Sequence, residues 1–270
     1  MKQSSEYLLG VSKTELERLR FQHSVWKSVT DRFFDRLNIQ RGWKCLDVGS
    51  GPGFVSFDLR ERVGDEGEIT GLEPSEFYLE RFKEQCVKKG WTNVKFIHGT
   101  AETAQLPERY YDLIFARWVI SFVPDPERFL ERLCSALRAG GVIALQDYIY
   151  DGLNFFPRGG AFDGMLDAVR AYWYSGGGDP DVAARIPSLF KKYDVRLIDY
   201  TPNCLAGDGS SPIAEWAHRF FTTHIHSMVE KGIITKDQGD AMWEDWLAHR
   251  KNPQAIFFSP IVVDMAGILL

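Results

Sequence analysis

Apolar residues follow two rhythms along this chain. Over the first forty residues Leu16, Leu19, Val25, Trp26, Phe33 and Leu37 recur at roughly helical spacing with charges between them, which predicts an amphipathic helix with one buried stripe. From Trp43 the rhythm shortens. Apolar runs at 44–48, 68–72, 94–97, 112–116 and 141–146 alternate with helical stretches that start near Phe54, Ser75 and Asp125. Strands alternating with helices predict parallel βαβ units and a doubly wound α/β sheet. Local signals agree: Ser75 is an N-cap for a helix over 76–89 with Gly90 as its C′ residue. Asp125-Pro126 places a cap before a proline at the first helical position, and Gly140-Gly141 closes that helix.

After Asp147 the alternation breaks. Residues 148–176 hold Tyr148, Tyr150, Phe155, Phe156, Phe162, Tyr172, Trp173 and Tyr174, and the triplet Gly176–Gly178 follows as a hinge or helix stop. Helices are predicted over 161–174, 181–192, 213–231 and 236–250, and strands over 194–200 and 255–268. The expected organisation is a single domain, 1–270. Residues 1–40 form a helical cap and 41–150 a ligand-binding core. Helical insertions occupy 151–193 and 208–253, and the last strands close the sheet.

Composition narrows the functions available. The chain has 270 residues, 44% hydrophobic and 26% charged, with a net charge of −5. An acidic balance argues against a general nucleic-acid binder, which needs a basic face. No apolar run reaches the roughly 18–20 residues of a membrane span. The N-terminal stretch has no apolar signal region. Cys45, Cys86, Cys134 and Cys204 lie far apart with no CxxC pair, so reduced thiols in a cytoplasmic protein and no metal site are expected.

The chemistry concentrates where the predicted strands end. Asp47-Val48-Gly49-Ser50-Gly51-Pro52-Gly53 joins the first strand to the next helix. Its glycines permit a tight turn and close approach of a ligand to backbone, beside the positive end of a helix. Dinucleotide enzymes place G-x-G-x-x-G here, but their third glycine would fall on Phe54. Glu73, followed by Pro74-Ser75, ends the second strand, where a carboxylate can accept both hydroxyls of a ribose. Thr100-Ala101-Glu102 follows the third strand, and Arg117-Trp118 leads from the fourth into Phe122-Val123-Pro124-Asp125-Pro126. All four stretches meet at the carboxyl edge of the sheet, where open α/β sheets bind ligands.

These residues resemble a class I S-adenosylmethionine-dependent methyltransferase. Leu46–Gly53 matches the family's glycine-rich motif and Glu73 its ribose-binding position. Thr100-Ala101-Glu102 is similar to the D-A-E stretch beside the adenine, with Thr replacing Asp. Arg117-Trp118 and the segment after them are similar to the ubiquinone/menaquinone-type and related small-molecule methyltransferases. The resemblance covers about residues 40–150 and implies a Rossmann-like seven-stranded sheet with its last strand antiparallel. It implies a cofactor site of Asp47, Gly49, Ser50, Gly51, Gly53, Glu73, Pro74, Ser75, Thr100, Ala101, Glu102, Arg117 and Trp118. The stretch from Tyr7 through Glu15, Arg18, Gln22 and His23 to Trp26 is similar to an N-terminal helix that folds over the cofactor in a subset of relatives. That adds Gln22 to the cofactor site, and Tyr7 and Trp26 to the acceptor pocket.

The expected reaction moves a methyl group from S-adenosylmethionine to O, N or C of a small, apolar or aromatic acceptor, leaving S-adenosylhomocysteine. Proximity and orientation can supply much of such an in-line displacement. A base is needed only where the acceptor loses a proton. Asp147 and His224 are the candidate bases; Asp147 has the alternative role of fixing a loop. His224 and His226 are two apart and do not face one another on a helix. Phe122, Tyr148 and Trp173 are the further acceptor candidates, under an aromatic lid. An acceptor on a protein or peptide, a non-catalytic relative and a nicotinamide oxidoreductase are the rival readings. The partner set is a small-molecule acceptor, no nucleic acid and no membrane span, with a homodimer possible at the apolar C-terminal segment.

Overall fold

The computed structural model describes residues 13–270. In chain order the elements are α1 (Lys13–Leu37), β1 (Lys44–Val48), α2 (Phe54–Val63), β2 (Glu68–Glu73), α3 (Glu76–Lys89), β3 (Val94–His98) and β4 (Tyr111–Arg117). Next come α4 (Pro126–Ala136), β5 (Leu137–Ile149), β6 (Asn154–Phe156), α5 (Met165–Ser175), α6 (Ile186–Lys192) and β7 (Val195–Asn203). The chain ends with β8 (Ala206–Gly207), α7 (Pro212–Glu230), α8 (Lys236–Lys251), β9 (Ile256–Phe258) and β10 (Ile261–Leu269).

Seven strands form one sheet in the order β3-β2-β1-β4-β5-β10-β7. Neighbours from β3 to β5 run parallel, and β10 is antiparallel to both β5 and β7. This is the predicted doubly wound sheet with an antiparallel last strand. Its strands read almost wholly apolar because both faces are covered. Leu113 and Phe115 of β4 face a core with Phe33 and Phe34 of α1 and Leu59 of α2. Ile114 and Ala116 face the other side, with Phe129 and Leu133 of α4 and Ile186 of α6. That is the two-residue alternation of a pleated strand.

The local caps fall where the sequence places them. Ser75 Oγ accepts from Tyr78 N, Gly90 is left-handed, and Asp125 Oδ1 accepts from Arg128 N at 3.0 Å. Three expectations change. The helix closed by Gly140-Gly141 stops at Ala136, and β5 begins at once, with a register shift opposite 111–113. The helix over 181–192 opens as a 3-10 turn, Val182–Arg185, before α6. The strand over 255–268 is two strands in two sheets: β9 pairs with β6 and β8, and only β10 joins the main sheet. Pro260 separates them, having no N–H to continue a ladder, and Ser259 N turns aside to Leu205 O at 2.8 Å.

The insertions form a second body of packing over the carboxyl edge. Residues of α5, α7 and α8 with the three-stranded β6-β9-β8 sheet enclose an aromatic core that includes Phe155, Trp173, Phe221 and Trp246. One helix joins this cap to the sheet. Toward its C-terminal end α1 buries Phe33 and Phe34 on the sheet; toward its middle Trp26 enters the aromatic core, edge-on to Trp118 and to Trp216.

A buried chain of hydrogen bonds fixes the same helix. Arg117 Nη1 donates to Thr30 Oγ1 (3.0 Å), which donates to Gln146 Oε1 (2.8 Å). Gln146 Nε2 donates to Asp264 Oδ1 (2.6 Å), whose other oxygen accepts from Arg36 Nη2 (2.8 Å). Each donor has its acceptor, so four elements are cross-linked with none of these groups stranded. Beside it Arg117 Nη2 donates to His23 Nδ1 (3.1 Å), and His23 Nε2 lies 3.4 Å from Asp58. Burial, with Arg117 and Lys27 nearby, pushes the His23 pKa down from 6.5 to about 3.

Two outcomes follow from this docking. Trp26→Ala removes a fully buried indole and should cost about 3–5 kcal/mol in denaturant unfolding; a loss below about 1 kcal/mol would show that α1 is not anchored there. The second concerns acid. Between pH 6.5 and about 3 the unfolded chain binds a proton at His23 that the folded chain refuses. His23 therefore contributes stability above pH 6.5 that is lost as pH falls. His23→Gln should lose less stability than wild type between pH 7 and 4.5, and equal losses would contradict a buried neutral His23.

Candidate cofactor and acceptor site

The glycine loop lies between β1 and α2, and its three glycines all have positive φ: Gly49 +66°, Gly51 +53° and Gly53 +87°. Their surroundings differ. A Cβ on Gly49 would sit 2.5 Å from Val119 Cγ2, and one on Gly53 would sit 2.3 Å from the Phe82 ring. A Cβ on Gly51 would meet nothing within 4 Å. Gly49 and Gly53 thus let the loop pack against its own chain, while Gly51 leaves open space above the turn. Ser50 is buried and its Oγ has no partner among the described residues. Asp47 points behind the loop, accepting from Ser56 Oγ at 2.5 Å in the first turn of α2. Burial raises its pKa to about 7, as for a group that braces the loop away from water.

Glu73 ends β2 and touches both loops around it. Oε2 accepts from Gly51 N at 2.8 Å and Oε1 from Ser75 N at 2.9 Å. Burial raises its pKa, and the two backbone donors hold the ionised form against that. A carboxylate has about four lone-pair sites, so two remain for a ligand. Pro74 is exposed, and its carbonyl accepts from His98 Nε2 at 2.8 Å. Thr100 stands after β3 with its hydroxyl 3.1 Å from that of Thr103. Ala101 is buried and Glu102 half-buried in the same turn.

At the ends of β4 and β5 the backbone is unusual. Trp118 has φ +55°, a conformation that costs a bulky residue of order 1–3 kcal/mol. Its amide bonds to Gln146 O at 2.9 Å, and its indole lies parallel to Tyr148, centroids 5.9 Å apart. Arg117 stacks on Trp118 and is committed to Thr30 and His23. It stays charged at neutral pH although burial lowers its pKa to about 10. Asp147 is buried. Oδ2 accepts from Ser121 N (3.2 Å) and Oδ1 from Tyr148 N (2.9 Å), and burial raises its pKa to about 6. Those contacts tie the segment after β4 to β5, the loop-fixing alternative for this residue.

The acceptor candidates among the described residues pack into one aromatic cluster. Phe122 meets Trp173 (5.2 Å), Trp173 meets Tyr150 (5.4 Å), and Tyr150 meets Tyr148 (5.0 Å). A narrow apolar crevice opens among Tyr150, Leu153, Trp216, Ala217, Phe220 and Phe221. Gln22 reaches it from α1: Oε1 accepts from Trp216 Nε1 and from Arg18 Nη1, each at 3.0 Å. Arg18 pairs with Glu15 through Nε (2.7 Å) and Nη2 (2.6 Å). Gln22 therefore joins α1 to α7, and its amide oxygen is already doubly used. His224 stacks on Phe220 (4.1 Å), its Nδ1 2.8 Å from the Phe220 carbonyl. His226 is exposed and pairs with Glu230. Tyr7 lies outside the described residues. The sequence does not mark Trp216 and Phe220, because an aromatic on an amphipathic helix carries no sign of which crevice it lines. Glu15 and Arg18 did carry a signal, an opposite-charge pair three residues apart on a helix.

No group of three or more His, Cys, Asp or Glu residues that could hold a metal occurs among the described residues. No described helix is long and apolar enough to cross a membrane.

Residues 39–161 match the family described as "Methyltransferase domain". The chain is 32% identical over 121 residues to a demethylmenaquinone methyltransferase of Geobacillus stearothermophilus, covering 45% of this chain and 50% of that protein. It is 26% identical over 144 residues to a ubiquinone/menaquinone biosynthesis C-methyltransferase of Francisella tularensis subsp. novicida, covering 49% and 56%. The chain thus spans about half the length of the curated relatives it matches. Among solved structures it superposes on a putative methyltransferase from Bacillus halodurans with TM-score 0.62 at 14% identity, covering 88% of this chain and 97% of that one. The Bacillus subtilis YcgJ protein gives 0.58 at 18% identity, covering 85% and 93%. At those identities the likeness speaks for the fold, which extends well beyond the matched sequence. Residues 39–161 thus match a methyltransferase-domain family, and they lie within a seven-stranded sheet whose fold the solved methyltransferase structures share.

Proposed function

We propose that this protein is an S-adenosylmethionine-dependent methyltransferase whose acceptor is a small apolar or aromatic molecule. The observation that carries the reading is a juxtaposition: an open glycine turn coupled to Glu73, at the same edge of the sheet as an aromatic cluster with a narrow crevice. The cofactor brings a methyl group activated on positively charged sulfur.

The residues present fit that cofactor. The space above Gly51 admits a ligand against backbone, and Glu73 keeps lone pairs for ribose hydroxyls. The orphaned Ser50 hydroxyl lies in the same loop. Thr100, Ala101 and Glu102 border the next strand end, where an adenine would rest with Thr100 or a backbone group in place of the family's Asp. Asp47, Arg117, Asp147 and Gln22 serve this site by holding its loops and helices, through Ser56, Thr30, Ser121 and Trp216 respectively.

The cluster's part is to orient the acceptor and exclude water, the two contributions an in-line transfer needs most. Its enclosure by the cap favours a small acceptor over a protein or peptide side chain. The quinone methyltransferases among the relatives are of the same kind. Cys45, Cys86 and Cys134 are buried free thiols, in keeping with a reducing, cytoplasmic setting.

A thermal-shift series tests the cofactor assignment. At about 100 times its dissociation constant a ligand adds about 2.7 kcal/mol, or roughly 5–10 °C for a chain of this size. S-adenosylmethionine and S-adenosylhomocysteine should each raise Tm by that amount, NAD and NADP should not, and Glu73→Gln should weaken both adenosyl ligands at least tenfold. A shift with NAD alone would replace this reading with the oxidoreductase one. No shift on folded, ligand-free protein would leave a non-catalytic relative.

A further inference from the structure

The turn after β3 is held by a side chain from a different element. Residues 100–104 follow β3, whose register sets His98 beside Glu73. Gly99 N donates to Glu73 O at 3.1 Å, and the Pro74 carbonyl accepts from His98 Nε2 at 2.8 Å. The start of the turn is therefore stitched to the segment that carries Glu73. Within the turn, Ala104 N and Thr103 N donate to Thr100 O at 2.9 and 3.2 Å, and Thr100 N donates to Thr103 Oγ1 at 3.0 Å. Gly99 makes room for that hydroxyl: its φ is +148°, and a Cβ there would sit 3.2 Å from Thr103 Oγ1.

The hold from outside comes from α4. Arg132 Nε donates to Ala101 O at 3.3 Å, and its Nη2 donates to Ala104 O. One planar fork thus grips two carbonyls of the turn, and the directions of its donors are fixed. An ionised donor also makes the stronger kind of hydrogen bond. α4 is a firm base for this grip, with Phe129, Leu130 and Leu133 buried and its first turn capped by Asp125. The turn has little apolar anchorage of its own, since only Ala101 and Ala104 are buried in it.

We propose that Arg132 is a positioning residue for the adenine end of the cofactor: it holds the 100–104 turn in place beside Glu73, so that an adenosyl group meets a site already formed. The identity of the ligand rests on the methyltransferase reading. In this role Arg132 acts through the backbone of the turn and not on the ligand itself. Without the clamp only a fraction of molecules holds the turn in place, and apparent affinity falls by that fraction.

The test titrates two ligands into the full chain. S-adenosylhomocysteine is one; S-ribosylhomocysteine, which keeps the ribose and the amino acid but lacks adenine, is the other. Arg132→Ala should weaken S-adenosylhomocysteine about tenfold, the value of roughly one net hydrogen bond, and leave S-ribosylhomocysteine within about twofold of wild type. Arg132→Lys keeps the charge without the fork and should stay at least about threefold weak. Hydrogen exchange on the ligand-free Arg132→Ala chain should quicken at 100–104 and stay as in wild type at 49–53. Thr103 is exposed, so Thr103→Val, which removes the turn's internal acceptor, gives the same ligand-selective readout if Arg132→Ala folds poorly. Unchanged S-adenosylhomocysteine affinity in Arg132→Ala, an equal loss on both ligands, full rescue by lysine, or quickened exchange that spreads to 49–53 would each overturn the role. The exchange pattern decides even where the ribosyl ligand binds too weakly to titrate. Failure of wild type to bind either ligand, with quickening still confined to 100–104 in the variant, would count against the cofactor assignment instead.

Discussion

The site depends first on how one helix is held. α1 crosses from the sheet to the cap, and its fixed points are of two kinds. Phe33 and Phe34 bury apolar surface against β4, which is strong but tolerant of sliding. The chain from Arg117 through Thr30 and Gln146 to Asp264 is less forgiving, because a shift of one residue would strand several buried polar groups at once. Apolar burial thus supplies affinity between α1 and the sheet, and hydrogen bonding supplies register. With that register set, Trp26 meets Trp118, and Gln22 meets Trp216 of the cap. The aromatic cluster and the helix are thus held by the same contacts.

The glycine loop shows a division of labour. Only Gly51 has open space where a side chain would project; its neighbours at 49 and 53 are glycine because Val119 and Phe82 come too close for anything else. The loop is therefore clamped from both sides, with Asp47 holding α2 from behind and Glu73 holding the turn in front. Such a turn can meet a ligand without reorganising, which keeps the cost of binding low.

The parallel core was legible because its signals are local. Strand runs, the Ser75 and Asp125 caps and the glycine loop each depend on a few adjacent residues, and they agree with one another. The second half was less legible. A strand over 255–268 reads as continuous in apolar content, and only Pro260 marks the point where it changes sheet. Residue types were easier to name than their duties. Asp147, Arg117 and Gln22 stand at the expected strand ends and helix face, yet their polar atoms engage partners as many as 194 residues away in sequence. A pattern with period 2 or 3.6 cannot encode such pairs. Nothing in the sequence marks Trp216 and Phe220, for the same reason: their place beside the crevice depends on where the fold turns them.

Hydrogen exchange on the full chain tests the central claim most directly, that a cofactor site at the sheet edge is closed by α1. S-adenosylhomocysteine should slow exchange in the glycine loop (49–53), around Glu73–Ser75 and in the 100–103 turn. The same ligand should protect α1, with no such change on adding NAD. Protection of the loop without α1 would separate the helix from the site. Protection by NAD, or protection confined to other parts of the sheet, would contradict the account.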